Sequence, residues 1–389
     1  MRRVDLANIE TASNETTRNI NRNLALNLIR ARQPISRAEL ARLSGLQRST
    51  VSLIVEQLIR EKWVVEGARG RLPRGRRPTF LKLNELRAII VADVHPGSAI
   101  LALADVSGNL QWQETIALSQ DPKAGVKQIV TAIKALVKRH PDRIFEGIGI
   151  SVPGGVDDKQ QLIFAPNLKW TNFDIRSALE RGTGLHVELE NAANTCVLGE
   201  IWFGQTSGVS HMAVVAVAEG IGVGVISNGH LVRGLHGMAG EFGHVSMDPN
   251  GPLCQCGARG CWEMFASNRA AERYYQKASR KSSGPSFAEI MQLTDKGDAL
   301  AQKALEQMAV HLGLGLRMIV AAYAPETIMI SGEFAKQWHR YGTLLEESLR
   351  VHILAGAPPR LIPSRDGALS RLRGGIALVL QRYSSLSHK

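Results

Sequence analysis

The chain predicts an α/β protein in two parts. A winged helix-turn-helix over residues 21–84 is joined to a two-lobed body of the actin-like, ribonuclease-H-like, ATPase type that starts at residue 88. Three observations carry this. Residues 1–87 hold 18 Lys or Arg against 8 Asp or Glu, whereas the other 302 residues hold 29 against 27. The apolar spacing changes near Ala88 from helical to strand-like. The runs that follow, three strands, a helix and a strand, have the order of one actin-like lobe. A length of 389 residues allows two or three filled cores, and 44% hydrophobic with 5% aromatic content suits this class.

In the basic front part, residues 1–20 read as a polar Asn/Thr-rich arm, expected to be disordered when free. A first helix from Asn21 carries the stripe Leu24, Ala25, Leu28 and Ile29, and Gln33-Pro34 stops it. Ser36 and Glu39 have the spacing of a capping box for a second helix over 37–43, and Ser44-Gly45 makes the turn. In a third helix Val51, Ile54, Val55 and Leu58 face inward. Gln47, Arg48, Ser49, Thr50 and Ser52 face outward at its N-terminal end, where a recognition helix meets base edges and phosphates. Two apolar strands, 63–65 and 80–83, flank a basic Gly/Pro loop with Arg71, Arg74, Arg76 and Arg77. Such a wing suits the negative potential of a narrow minor groove. Operator DNA is the expected partner, bound by a homodimer or homotetramer because two half-sites mirror a two-fold protein. A three-helix packing unit without DNA would share the apolar pattern.

From residue 88 strands are expected at 88–94, 99–105 and 110–117, a helix at 125–139 and a strand at 148–152 that leads to Pro153-Gly154-Gly155. A second half begins with strands at 211–217 and 223–227 and ends with helices around 298–323 and 335–353. The lobes divide as 88–190 and 191–383, the C-terminal helix returning to the first. Apolar stretches such as 212–218 fall far short of the roughly 20 residues of a membrane span. The opening residues lack the apolar core of a signal peptide. A cytoplasmic protein is expected, with no membrane partner.

Cys254, Cys256 and Cys261 lie within eight residues, and His244 precedes them by ten. One imidazole and three thiolates form a closed tetrahedral set for Zn2+, with Gly257 and Gly260 letting one loop wrap the ion. A closed set argues for a structural metal. The alternatives are a chance cluster or a disulfide pair. Cys196 reads as a buried small apolar residue.

These residues also carry a resemblance. Gly240-Glu241-Phe242-Gly243-His244, then Cys254-x-Cys256-x4-Cys261-x-Glu263, resembles the zinc and sugar signature of the ROK family of repressors and sugar kinases. Pro153-Gly154-Gly155, Pro166-Asn167-Leu168, Asn191-Ala192-Ala193-Asn194, Gly220-Ile221-Gly222-Val223-Gly224 and Ser331-Gly332 support it. The wing, with Gly75-Arg76-Arg77-Pro78, is similar to that of the family's xylose- and N-acetylglucosamine-responsive repressors. The resemblance implies that Asn191, Glu241, His244 and Glu263 hydrogen-bond the hydroxyls of a monosaccharide or sugar phosphate, His244 binding zinc through its other nitrogen. Glu263 could instead be only a helix-start acid.

Against the family's kinases the chain departs at three places. Ala192 stands where a catalytic aspartate would follow the asparagine, and a methyl group is no general base. His95 and Pro96 replace glycines of the first phosphate loop, and Glu219 brings an acid to the second. The glycines at 220, 222 and 224 remain, but a glycine run is weak evidence, and close packing of strands is the alternative reading. The resulting expectation is a sugar-responsive regulator of carbohydrate-metabolism genes, a repressor and not an enzyme. An active kinase with a DNA-binding appendage and a protein-interaction module are the alternatives.

Overall fold

A computed structural model describes residues 14–69, 78–165, 168, 170, 173–204, 209–280, 283–351 and 357–383. The front part comprises α1 (Asn14–Arg32), β1 (Ile35–Ser36), α2 (Arg37–Ser44), α3 (Arg48–Arg60), β2 (Val64–Arg69) and β3 (Thr79–Leu83), the strands ordered β1-β3-β2. This is the expected three helices and ribbon. Gly45, with φ 70°, closes α2, and Ser36 Oγ accepts from Glu39 N at 3.2 Å. Only that half of the capping box forms.

The arm is shorter than the sequence suggests, because α1 starts at Asn14 and not at Asn21. Its extra turns are held by polar partners on α3 that an apolar stripe does not reveal. Arg18 donates to Gln57 Oε1 at 3.2 Å, and Arg22 pairs with Glu61. Residues 1–13 lie outside the described part.

The body contains β4 (Arg87–His95), β5 (Ser98–Asp105), β6 (Leu110–Ala117), α4 (Pro122–Arg139), β7 (Ile144–Val152), β8 (Gly155–Val156), β9 (Leu162–Phe164), α5 (Ile175–Thr183), β10 (Val187–Asn191) and α6 (Ala192–Phe203). There follow β11 (Met212–Val217), β12 (Ile221–Ser227), β13 (His230–Leu231), α7 (Glu263–Ala266), α8 (Asn268–Ser279), α9 (Phe287–Asp295), α10 (Ala299–Tyr323), β14 (Thr327–Ser331), α11 (Trp338–Arg350), β15 (Arg360–Pro363) and α12 (Gly367–Gln381). The two five-stranded sheets, β10-β7-β4-β5-β6 and β13-β12-β11-β14-β15, repeat one topology. In each, a three-strand antiparallel meander is extended on its first strand by two parallel strands. Parallel strands need crossovers, and α4 and α10 lie in the two that extend the meanders.

The C-terminal helix packs on the first sheet. Gly375 of α12 lies against Val91 of β4, and a Cβ at Gly149 of β7 would stand 2.0 Å from Gly375 O. Backbone thus meets backbone, so α12 belongs with the first sheet. Helix α10 has the length and apolarity of a membrane span, although polar residues interrupt its apolar run. Its Leu305, Met308, Leu312, Leu316 and Ile319 are fully buried in the second-lobe core, where Trp262 Nε1 donates to His311 O at 2.9 Å.

Front part and body share one core. Ile29, Leu58, Trp63 and Leu81 cluster with Ile89, Val91, Ala102 and Ala104 on the outer face of the first sheet and with Leu372, Ile376 and Val379 of α12. The seam has polar stitching. Trp63 packs edge-on to Tyr383 at 4.5 Å, Arg87 lies 4.0 Å over the Trp63 ring, and Gln33 Nε2 donates to Ser107 Oγ at 3.0 Å.

Candidate functional site

The loop after β13 turns back across β12 because two glycines let backbone rest on backbone. A Cβ at Gly240 would stand 2.3 Å from Val223 O, and one at Gly243 2.1 Å from Ile221 O. The short 3-10 turn Glu241–His244 between them presents its side chains together. His244 Nε2 is 3.9 Å from Glu241 Oε2, and His244 Nδ1 is 3.6 Å from Glu263 Oε1. Glu263 does begin a helix, the four-residue α7, but its carboxylate points to this cluster and is largely buried. Burial pushes the Glu241 carboxyl above the ordinary range; His244 opposes that and Glu263 adds to it.

Asn191 ends β10 in the first sheet, not the second lobe as the expected boundary at residue 190 had it, and is the N-cap of α6. Its Oδ1 accepts from Ala193 N at 2.8 Å and Asn194 N at 3.4 Å, and its Nδ2 donates to Gly154 O. Much of the amide is therefore used internally, leaving one N–H for a ligand. The glycines at 220, 222 and 224 make room on one face of β12, for side chains and a helix and not for strands. A Cβ at Gly220 would meet Glu263 Oε2 at 2.6 Å, and Cβ atoms at Gly222 and Gly224 would crowd Ala193. Ala193 and Glu263 therefore share that face.

Sequence reasoning passed over Glu190. It is a buried acid whose Oε1 accepts from Asn191 N at 2.9 Å and Asn194 Nδ2 at 3.0 Å, and whose Oε2 accepts from Arg233 Nε at 2.9 Å. An acid at a core-facing place in Val187-Glu188-Leu189-Glu190 was the available signal.

Beside Glu241, the ligand atoms of His244, Cys254, Cys256 and Cys261 all lie within 4.8 Å of one another. Cys254 Sγ is 3.6 Å from His244 Nδ1, and Cys256 Sγ is 3.6 Å from Cys261 Sγ. Tetrahedral zinc geometry requires edges of about 3.8 Å between sulfurs and about 3.5 Å between sulfur and nitrogen. The four residues could therefore hold a metal ion with little movement. Nδ1 faces the sulfurs while Nε2 faces Glu241, so one ring can serve both sides. Burial raises the Cys254 and Cys261 thiols, and a divalent cation would supply the charge that thiolates need there.

Across the cleft, β4 turns into β5 through Pro96 and Gly97, the latter at φ 77°. Asp93 at the strand end is fully buried. Its Oδ2 accepts from Arg371 Nε of α12 at 2.7 Å and lies 2.9 Å from His95 Nε2. Burial disfavours the Asp93 carboxylate, but His95 and Arg371 outweigh it and hold its pKa below the ordinary value. For Arg371 burial likewise opposes the charge, and Asp93 and Glu219 restore it.

A model of the ROK family matches residues 97–382. This chain belongs to the ROK family. The xylose repressor of Bacillus subtilis (strain 168) is 32% identical over 381 residues, 96% of this chain and 98% of that protein. Among solved structures, a ROK family transcriptional regulator, a homologue of the Escherichia coli MLC protein, superposes with a TM-score of 0.78 at 24% identity, covering 95% of this chain and 99% of that one. A ROK glucokinase from Streptomyces griseus, solved with glucose and AMPPNP, gives a TM-score of 0.68 at 27% identity and covers 76% of this chain and 99% of its own.

In this ROK chain Gln47, Arg48 and Ser49 are exposed at the start of α3, while Thr50 and Ser52 are half-buried. Ser52 Oγ donates to Arg48 O at 3.0 Å and is turned to its own helix. Leu53, which the polar pattern passed over, is 68% exposed on the same helix. Arg71, Arg74, Arg76 and Arg77 lie outside the described residues, as do Pro166 and Asn167.

Proposed function

We propose that this ROK chain is a sugar-responsive DNA-binding repressor of carbohydrate-metabolism genes, working in the cytoplasm, whose cleft binds its effector without phosphorylating it. The observation that carries the reading is the unequal state of the two cleft walls. Glu241, His244 and Glu263 converge beside four metal-ligand atoms, whereas on the phosphate side Arg371 grips Asp93. A buried guanidinium there leaves no acid free to steady a metal-bound triphosphate, and Ala192 offers no base. The name and near-complete coverage of the Bacillus subtilis relative support the same reading.

The roles follow from the chemistry. Glu241 and Glu263 accept from sugar hydroxyls, Asn191 donates its remaining N–H, and His244 Nε2 completes the set. Zn2+ held by His244, Cys254, Cys256 and Cys261 is structural, fixing the ring that reads the ligand. Gln47, Arg48, Ser49, Thr50 and Ser52 meet the major groove, and Arg71, Arg74, Arg76 and Arg77 the minor groove, in a homodimer or homotetramer on operator DNA. A monosaccharide or sugar phosphate that prefers the DNA-incompetent arrangement lowers DNA affinity by its differential binding and no more.

The test is to titrate purified protein on DNA duplexes against monosaccharides and their phosphates. Loss of DNA affinity with one sugar is expected. An active kinase is the second reading, favoured by the shared fold of the glucose-bound glucokinase. ATP-dependent phosphorylation of any sugar in the set would decide for it.

A further inference from the structure

Resting on the repressor reading, we infer that α6 carries closure of the sugar cleft to the DNA-binding part, and that Arg30 stacked on Trp202 and Phe203 is its output contact. With 12 residues, α6 is about 18 Å long. Its two ends touch the two places that must communicate.

The N-terminal end is fixed to the cleft. Asn191 caps it, Glu190 accepts from the Asn191 amide, and Ala193 sits on Gly222 and Gly224 of β12. The same strand carries the Glu241–His244 turn on the backbone carbonyls of Val223 and Ile221. A ligand that draws Glu241 and Asn191 together therefore displaces the start of α6 relative to β12 or locks the two.

Along its flank α6 is joined to α12 without intervening side chains. A Cβ at Gly199 would stand 2.0 Å from Ser370 O, and one at Gly374 1.8 Å from Thr195 O. Close-packed backbones have little room to slide, so strain at the start of α6 is carried along α6 and into α12, whose Leu372, Ile376 and Val379 pack in the core shared with the front part.

The C-terminal end meets α1. The Arg30 guanidinium carbon lies 4.3 Å from the Trp202 ring centroid and 5.9 Å from that of Phe203. Arg30 Nε is buried and has no hydrogen-bond partner among the described residues. Phe203 in turn covers Gly108, where a Cβ would stand 2.5 Å from the ring, next to the Ser107 hydroxyl that receives Gln33 of the front part. A cation over a ring keeps its attraction only within about 6 Å of the centroid. Displacement by an ångström or two at this end of α6 is therefore felt by the helix that packs on α2 and α3.

The experiment uses the full chain, a duplex selected from a random pool, and D-xylose, D-glucose, N-acetylglucosamine and the 6-phosphates of the last two as probes. Anisotropy gives DNA affinity with and without sugar; calorimetry gives sugar affinity alone. In the parent the active sugar is expected to change DNA affinity by about 5- to 150-fold, the ordinary range of coupling between sites. R30Q and W202L are expected to keep sugar affinity within about threefold while that coupling ratio falls towards one. W202F, which keeps a ring face, is expected to retain most of the ratio. Equal ratios in parent, R30Q and W202L, each shown folded by thermal melting, overturn the role of α6 and leave the repressor reading intact. A parent that binds DNA and sugar with a ratio of one overturns both. F203L replaces either variant if it fails to fold.

Discussion

The two walls of the cleft come from repeats of one topology, yet they are furnished differently. On the second-lobe side Glu241 and Glu263 flank His244, and Glu263 Oε1 accepts from Cys254 of the thiol cluster. On the first-sheet side Asp93 meets both His95 and Arg371 on one oxygen. The contrast teaches that two copies of one topology can hold their acids differently, one closed on a buried cation and the other set beside thiols.

The contrast can be broken most strongly at Arg371. Arg371→Ala leaves a buried carboxylate without its cation, and unfolding in urea at neutral pH should show a loss of about 3 kcal/mol. The sign with pH is set by the depressed Asp93 pKa: its contribution is present above the ordinary value of 3.8 and lost as pH falls through the lower folded value. The difference between parent and variant should therefore narrow in acid.

Next in size, Glu241→Ala removes a charged acceptor. Sugar affinity by calorimetry is expected to fall by roughly 10- to 150-fold, the weight of about 1.5–3 kcal/mol, with DNA affinity in the absence of sugar unchanged. Cys256→Ser should lower the bound zinc measured by elemental analysis and weaken the sugar about tenfold through His244. Arg48→Ala should weaken DNA binding alone and reduce the salt slope by about one. The smallest effect expected is none. Ala192→Asp restores a base without freeing Asp93, and a coupled ATPase assay should stay at background; turnover there would place the kinase barrier at residue 192 alone.

Features that depend on neighbours in sequence were legible before any coordinates. The helices of the front part followed from apolar spacing, and four of the five strands of the first sheet from runs broken by Gly and Asn, whereas β10, with acids at Glu188 and Glu190, did not show itself. The metal ligands fall within 18 residues, so spacing alone grouped them. Glu241, His244 and Glu263 came through family likeness and were found together. What escaped depends on distant partners. Asp93 and Arg371 are separated by 278 positions, and Gly199 reveals nothing until Ser370 is placed on it. The early start of α1 escaped because Arg18 and Arg22 look like ordinary basic residues until Gln57 and Glu61 are opposite them.

The seam between front part and body has a consequence for how the molecule is made. Leu26, Ile29 and Trp63 leave the ribosome more than 300 residues before their hydrophobic partners at Leu372, Ile376 and Leu380. Until α12 arrives, that surface stays wet, and contacts so remote in sequence form slowly. A chain stopped before α12 would thus carry a front part whose shared core is incomplete.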